Sequence, residues 1–223
     1  MEHQSISSRR RFVRTAGAAL SATAAAAVAA VPASAVDGLS LEGRLARLED
    51  TEAIRRLHLA WLAHVNDGAR ETALPLFAAD AEVQFAGGVF AGRERGIRRL
   101  LVDHFGRSLA EARPGPVPTF LQSRDPHLDA IEVAPDRRTA AARLRCTAHM
   151  ASAIGPDCTL AAMAIQQGEG TLRWQETADI EAAYVREGEV WRISWLIYRT
   201  PAGAATFTAT YPTHPAGPDR LVV

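Results

Sequence analysis

The chain has 223 residues, 48% hydrophobic and 22% charged, with 25 basic residues balancing 25 acidic ones. That excludes a disordered or collagen-like polymer and supplies no basic excess for binding nucleic acid. Every basic residue is an arginine, so a lysine Schiff base is ruled out, and two cysteines are too few for a disulfide scaffold or a thiolate zinc site.

The chain opens with Ser8-Arg9-Arg10-Arg11-Phe12-Val13-Arg14, a basic head. An uncharged, mostly alanine stretch over 16–31 follows, and Ala33-Ser34-Ala35 gives a small-x-small exit. The three parts predict a signal peptide over 1–35, and the arginine pair resembles a twin-arginine export signal. The protein is expected to be secreted or extracytoplasmic. No stable membrane anchor is expected after cleavage, since the alanine stretch is short and weakly apolar for a span. Residues 36–200 read as one domain, and 201–223, rich in Pro, Gly and Thr, as a loose tail.

From Leu41, the apolar residues Leu45, Leu48, Ile54, Leu57, Trp61 and Val65 recur at three- and four-residue steps. They predict one long amphipathic helix that stops at Asn66-Asp67-Gly68. Residues 70–79 predict a shorter helix, kinked or restarted at Pro75. Ala81-Glu82-Val83-Gln84-Phe85 alternates and turns at Gly87-Gly88 into Val89-Phe90-Ala91, a hairpin. Residues 93–105 are helical again, with Ile97, Leu100, Leu101 and Phe105 on one side. Prolines and a glycine make 113–118 a loop. Strand-like stretches follow over 120–133, 139–151, 173–186 and 189–200, with turns at 135–138 and at Glu187-Gly188, while 152–170 is an unassigned connection. Helices first and strands last argue for an α+β fold, a cone-shaped curved antiparallel sheet wrapped around about three N-terminal helices. The open mouth of such a cone is a natural small-molecule pocket.

Asp50-Thr51-Glu52-Ala53-Ile54-Arg55-Arg56-Leu57, Leu76-Phe77-Ala78-Ala79-Asp80-Ala81, Gly92-Arg93-Glu94 and Val190-Trp191-Arg192-Ile193 occur in that order. Together they resemble the SnoaL-like members of the nuclear-transport-factor-2-like superfamily, over about residues 40–200. Polyketide cyclases, scytalone dehydratase and bile-acid dehydratases belong there, beside members with no catalytic role. In dehydratase-like relatives a Tyr on the first helix and an Asp five residues later face the pocket; the resemblance puts Trp61 and Asn66 at those places. It aligns the relatives' pocket His with Arg124, three residues before His127, and their second carboxylate with Ala148. The acid–base set is therefore largely absent, since Trp has no ionisable proton and Asn is no base.

Other groups are candidates on their own chemistry. His64, one turn beyond Trp61, is a general base or a rim residue. Asp67 is a displaced acid or a capping turn residue. Asp125, His127 and Asp129 share one face of an undisturbed strand, as a metal site, a His–carboxylate pair or a plain surface. Pro126 interrupts the alternation, and no metal is expected. With the even set inward, Arg124 would bind a carboxylate or an enolate-like oxygen. Leu144, Cys146, Ala148 and Met150 form an apolar row with His149 opposite. Cys146 is a small buried residue there, or pairs with Cys158 in an oxidising compartment. On the last strand the row Trp191, Ile193, Trp195, Ile197 and Arg199 is expected to face the core. Trp195 and Arg199, with Trp61, Phe85 and Tyr184, would then line an aromatic cavity.

Three functions follow. The first is an exported, cofactor-independent lyase, isomerase or cyclase for a hydrophobic small molecule, with His64, Asp67, Arg124 and His127 in catalytic roles. The second is a non-catalytic ligand-binding or accessory protein using the same pocket. The third is a dimerisation domain, suggested by Leu41, Leu45 and Leu48. A homo-oligomer, dimer or trimer, is expected as partner, with no nucleic acid and no cofactor.

Overall fold

The computed structural model describes residues 40–126, 130–155, 159–167, 170–201 and 205–206. Residues 1–35, expected to be a signal peptide, lie outside the described residues, as do His127, Asp129, Cys158 and most of the expected tail. Helix α1 (Leu41–Asn66) starts at Ser40, whose hydroxyl accepts from the Gly43 N–H at 3.2 Å, and ends in the turn of Asp67 and Gly68. Its inner face carries Asp50, Ile54, His58, Trp61, Leu62 and Val65, all buried. Leu41, Leu45 and Leu48, at its start, remain exposed.

Residues 70–79 are not a helix. Pro75 holds only a 3-10 turn (Leu74–Leu76), and Phe77 already begins β1 (Phe77–Phe85). Strand β1 pairs with β2 (Gly88–Ala91) through a two-residue turn in which Ala86 and Gly87 take φ of 50° and 78°. Both values are left-handed, the type I′ geometry that suits the twist of a hairpin. Residues Gly92–Ile97 and Arg99–His104 then wind as π-helix into the α-turn Phe105–Arg107, and bury Ile97, Leu100, Leu101 and Phe105.

The remaining strands are β3 (Val117–Ser123), β4 (Ala130–Val133), β5 (Thr139–Ala153), β6 (Thr171–Glu187), β7 (Val190–Arg199) and β8 (Ala205–Thr206). A short helix α2 (Thr159–Gln166) occupies part of the β5–β6 connection, which the sequence left unassigned. The stretch expected as one strand over 120–133 is two, because the chain bends at Arg124 before Pro126. The curved sheet runs β2-β1-β7-β6-β5-β3, with β4 also on β5 and β8 on β6. Pairing is antiparallel except between β1 and β7, which run parallel, so the sheet is mixed. Helix α1 and the π-helical segment fill its concave side, giving the α+β cone. Among the described residues, no helix is long and apolar enough to cross a membrane.

One irregularity decides what faces the interior. On β7, Ile193 is opposite Tyr184 and Trp195 opposite Ala183, so Ser194 is an extra residue. Such a bulge reverses the alternation beyond it. Trp191 and Ile193 are buried as expected; after the bulge Leu196 and Tyr198 take the inner places, and Trp195 and Arg199 turn to the other face. Arg199 is exposed and lies 3.8 Å from Glu181. The expectation that the whole Trp191–Arg199 row faces the core fails at Trp195 and Arg199 for this reason, while Ile197 remains buried.

Candidate functional site

The inner face of the cone holds two adjoining spaces. The inner one is apolar, lined among others by Trp61 of α1, Phe85 of β1, Leu100 and Phe105 of the π-helical segment, Leu121 of β3 and Tyr198 of β7. The centre of a water-sized molecule can range there over ≈ 20 Å³, room for a few atoms, so a larger occupant requires side chains to move. The outer one is an open cleft of ≈ 400 Å³ between the β1–β2 hairpin, the π-helical segment and residues 113–116. That is within the usual range for ligand sites. Phe85 lines both, packing edge-on to Phe105 with ring centroids 4.9 Å apart and against Tyr198 at 5.4 Å.

The polar chemistry beside the inner cavity centres on Glu176, a buried carboxylate on β6. Its Oε1 accepts from the Tyr198 hydroxyl at 2.7 Å and the Thr200 hydroxyl at 3.0 Å, and its Oε2 accepts from Trp174 Nε1 at 2.7 Å. Three neutral donors replace the water that a buried carboxylate loses. Burial, with the hydrogen bond and charge of Glu176 behind it, pushes the Tyr198 phenol far above its ordinary value. Tyr198 therefore stays protonated; its ring lines the cavity and its hydroxyl is given to Glu176.

In the outer cleft His104 is held on both sides. Nε2 is 3.0 Å from the Pro116 carbonyl, and Nδ1 is 3.0 Å from the Ser108 hydroxyl. A carbonyl only accepts, so Nε2 carries a proton directed at Pro116. Arg99 lies over the Phe90 ring, 5.7 Å from its centroid.

A family model described as a SnoaL-like domain matches residues 46–196. The chain belongs to the SnoaL-like family. Among solved structures it is similar to a type 2 hexachlorocyclohexane dehydrochlorinase (LinA) at 18% identity and TM-score 0.54, covering 78% of this chain and 98% of that one. The type 3 LinA of Novosphingobium barchaimii gives 18% identity, TM-score 0.53 and coverages of 77% and 98%. An NTF2-like protein with a cystatin-like fold from Novosphingobium aromaticivorans gives 21% identity, TM-score 0.49 and coverages of 73% and 89%. The likeness to the two LinA structures establishes the fold. No curated protein matches the chain.

The SnoaL-like cone brings Trp61, Phe85, Cys146 and Tyr184 into its buried interior, and the first two line the inner cavity. Asn66 is committed to the backbone. Its Nδ2 donates to the Leu121 carbonyl at 2.7 Å and its Oδ1 accepts from the Leu121 N–H at 2.7 Å, clamping the end of α1 to β3. His64 Nδ1 meets the Thr72 hydroxyl at 3.1 Å, away from both spaces, and Asp67 is an exposed cap whose N–H bonds the Ala63 carbonyl. Arg124 is exposed at the end of β3, its N–H on the Arg145 carbonyl at 2.9 Å. His127 lies outside the described residues. Glu176 and Tyr198 did not emerge from the sequence. The signal was present: Glu176 breaks an otherwise apolar inward row of Ala178, Ile180, Ala182 and Tyr184.

Proposed function

We propose that this SnoaL-like protein is a cofactor-independent lyase or isomerase, of the dehydratase and cyclase kind, that acts on a small hydrophobic molecule held in the cone. One observation carries the reading: Tyr198, whose ring lines an apolar cavity, donates its hydroxyl at 2.7 Å to a buried carboxylate, Glu176. Eliminations and isomerisations need a proton removed and a proton supplied in a dry space. Here the phenol oxygen takes a proton from the substrate as its own passes to Glu176. In an isomerisation the same relay returns the proton at another atom; in an elimination it delivers it to the departing group. Family membership supports small-molecule chemistry in this fold, and the hexachlorocyclohexane dehydrochlorinases share the fold.

The non-catalytic alternative draws on the same cluster. Both Glu176 oxygens already receive donors, which also suits a fixed wall of a binding pocket. Native mass spectrometry of the purified protein identifies a bound hydrophobic molecule, and incubation with that molecule then tests turnover. Conversion by the wild type and a loss of at least about 100-fold in Glu176→Gln, with the melting temperature retained, is expected. A molecule that binds and returns unchanged leaves the accessory reading instead. Alanine variants of His64, Asp67, Arg124 and His127 in the same assay test the roles offered to them by the sequence. Export through the twin-arginine route, with cleavage near Ala35, and assembly as a homo-oligomer complete the proposal.

A further inference from the structure

The outer cleft carries one charge that the protein itself does not match. Besides His104, three side chains lining it are ionisable: Arg99, Asp103 and Arg113. Asp103 lies 3.6 Å from Arg107, and Arg113 pairs with Glu111. Arg99 is exposed and has no ion pair or hydrogen bond among the described residues. Its guanidinium lies instead over the ring of Phe90, which also lines the cleft, and that contact holds the cation at the wall.

The rest of the lining is flat and apolar. His104 has one ring nitrogen on the Pro116 carbonyl and the other on the Ser108 hydroxyl, so it contributes a ring and no free nitrogen. That ring lies 6.5 Å from Phe85, centroid to centroid. Phe85, Phe90, Pro114 and Pro116 supply hydrocarbon. Two glycines let these rings sit close to the backbone. A Cβ on Gly88 would stand 3.0 Å from Phe90 Cε2, and one on Gly115 would stand 3.0 Å from His104 Cε1.

The charge left over selects the ligand. A cation would be repelled by Arg99, and an uncharged group would leave the guanidinium unmatched. A dianion would bring a second negative charge to a wall that already holds Asp103 and offers no second free cation. One carboxylate fits both the single charge and the planar fork of donors. The flat hydrocarbon walls suit an aromatic body, and ≈ 400 Å³ gives it room.

We propose that the outer cleft is a binding site for an aromatic monocarboxylate, with the carboxylate on Arg99 and the ring against Phe85 and the prolines. This goes beyond the chemistry assigned to Glu176 and Tyr198. The two spaces share Phe85 alone, and the cleft needs no proton relay to bind its ligand.

Cinnamate and cinnamamide test this, because they have the same shape and differ in charge. Affinities of both are measured by ligand-observed NMR on the full chain at low ionic strength, with a melting temperature for each protein. The proteins are the wild type, Arg99→Gln and Arg143→Gln, the last altering an exposed arginine of β5 that pairs with Glu181. The wild type is expected to bind cinnamate about 10-fold more tightly than the amide. Arg99→Gln is expected to lose that preference at an unchanged melting temperature, and Arg143→Gln to keep it. Added salt is expected to weaken cinnamate and not the amide. The site is overturned if the wild type shows no preference, if the preference survives in Arg99→Gln, or if Arg143→Gln loses it equally. None of these results touches the reading of Glu176 and Tyr198, whose test is turnover in Glu176→Gln.

Discussion

Asp50 shows how a single buried charge on α1 anchors the closed end of the cone. Its side chain accepts from Arg137 Nε at 2.6 Å, from Trp191 Nε1 at 3.1 Å and from Arg186 Nη1 at 3.4 Å. Burial drives this carboxyl upward. The hydrogen bonds of Arg137 and Trp191 and the charges of Arg137 and Arg186 outweigh that and hold it below its ordinary value. A group depressed in the folded state contributes fully above its unfolded value, about 3.9 for Asp. The contribution is lost as the pH falls through the lower, folded value. Urea denaturation should therefore show Asp50→Asn weaker than the wild type by about 2 kcal/mol at pH 7, with the gap narrowing as the pH falls below the unfolded value. A gap independent of pH would mean that the side chain's shape matters and its charge does not. Asp50 was visible in the sequence only as part of the motif that begins there; its partners come from the far end of the chain, and no local pattern joins them. His58, buried with neither ring nitrogen hydrogen-bonded, was hidden differently. It falls in step with Ile54, Trp61 and Val65, and a helical period reports that a residue is inside without reporting whether its nitrogens find partners.

Among the elements, the π-helical segment is the most tightly fitted. A Cβ on Gly96 would stand 2.4 Å from the Ala91 nitrogen and 2.5 Å from the Phe90 carbonyl carbon, distances that only displacement of backbone relieves. Gly96→Ala is expected to cost about 2–3 kcal/mol and to lower the melting temperature by several degrees, as scanning calorimetry would record. A neutral outcome would mean that the helix lifts off β2 freely. The amphipathic pattern located this helix and its buried side correctly, but not its π winding, because apolar spacing is too coarse to separate a helical turn from a slightly wider one. The hairpin and the β5–β6–β7 strands were equally legible, since alternation and turn residues agree there. The Ser194 bulge was not. Trp195 and Arg199 continue the arithmetic of Trp191 and Ile193, and one unpaired residue cancels it. The same bulge places Tyr198, and with it the polar edge of the cavity, on the inner face.

For the molecule as a whole, the matched domain of residues 46–196 and the cap at Ser40 both lie downstream of residues 1–35. Deleting residues 1–35 is expected to leave the melting temperature within about 2 °C of the full chain; a larger fall would make that segment part of the fold. The sheet itself is joined across a long span of sequence. Val83 of β1 lies beside Leu196 of β7, and this parallel contact links the β1–β2 hairpin to the rest of the sheet. On a ribosome the first half of the chain emerges with an unfilled strand edge, and the neighbour that covers it is among the final segments translated. Until then the β1 edge has no β7 to pair with. A message truncated shortly before β7 would yield a product whose hairpin has nothing to dock on, fit for proteolysis rather than partial activity.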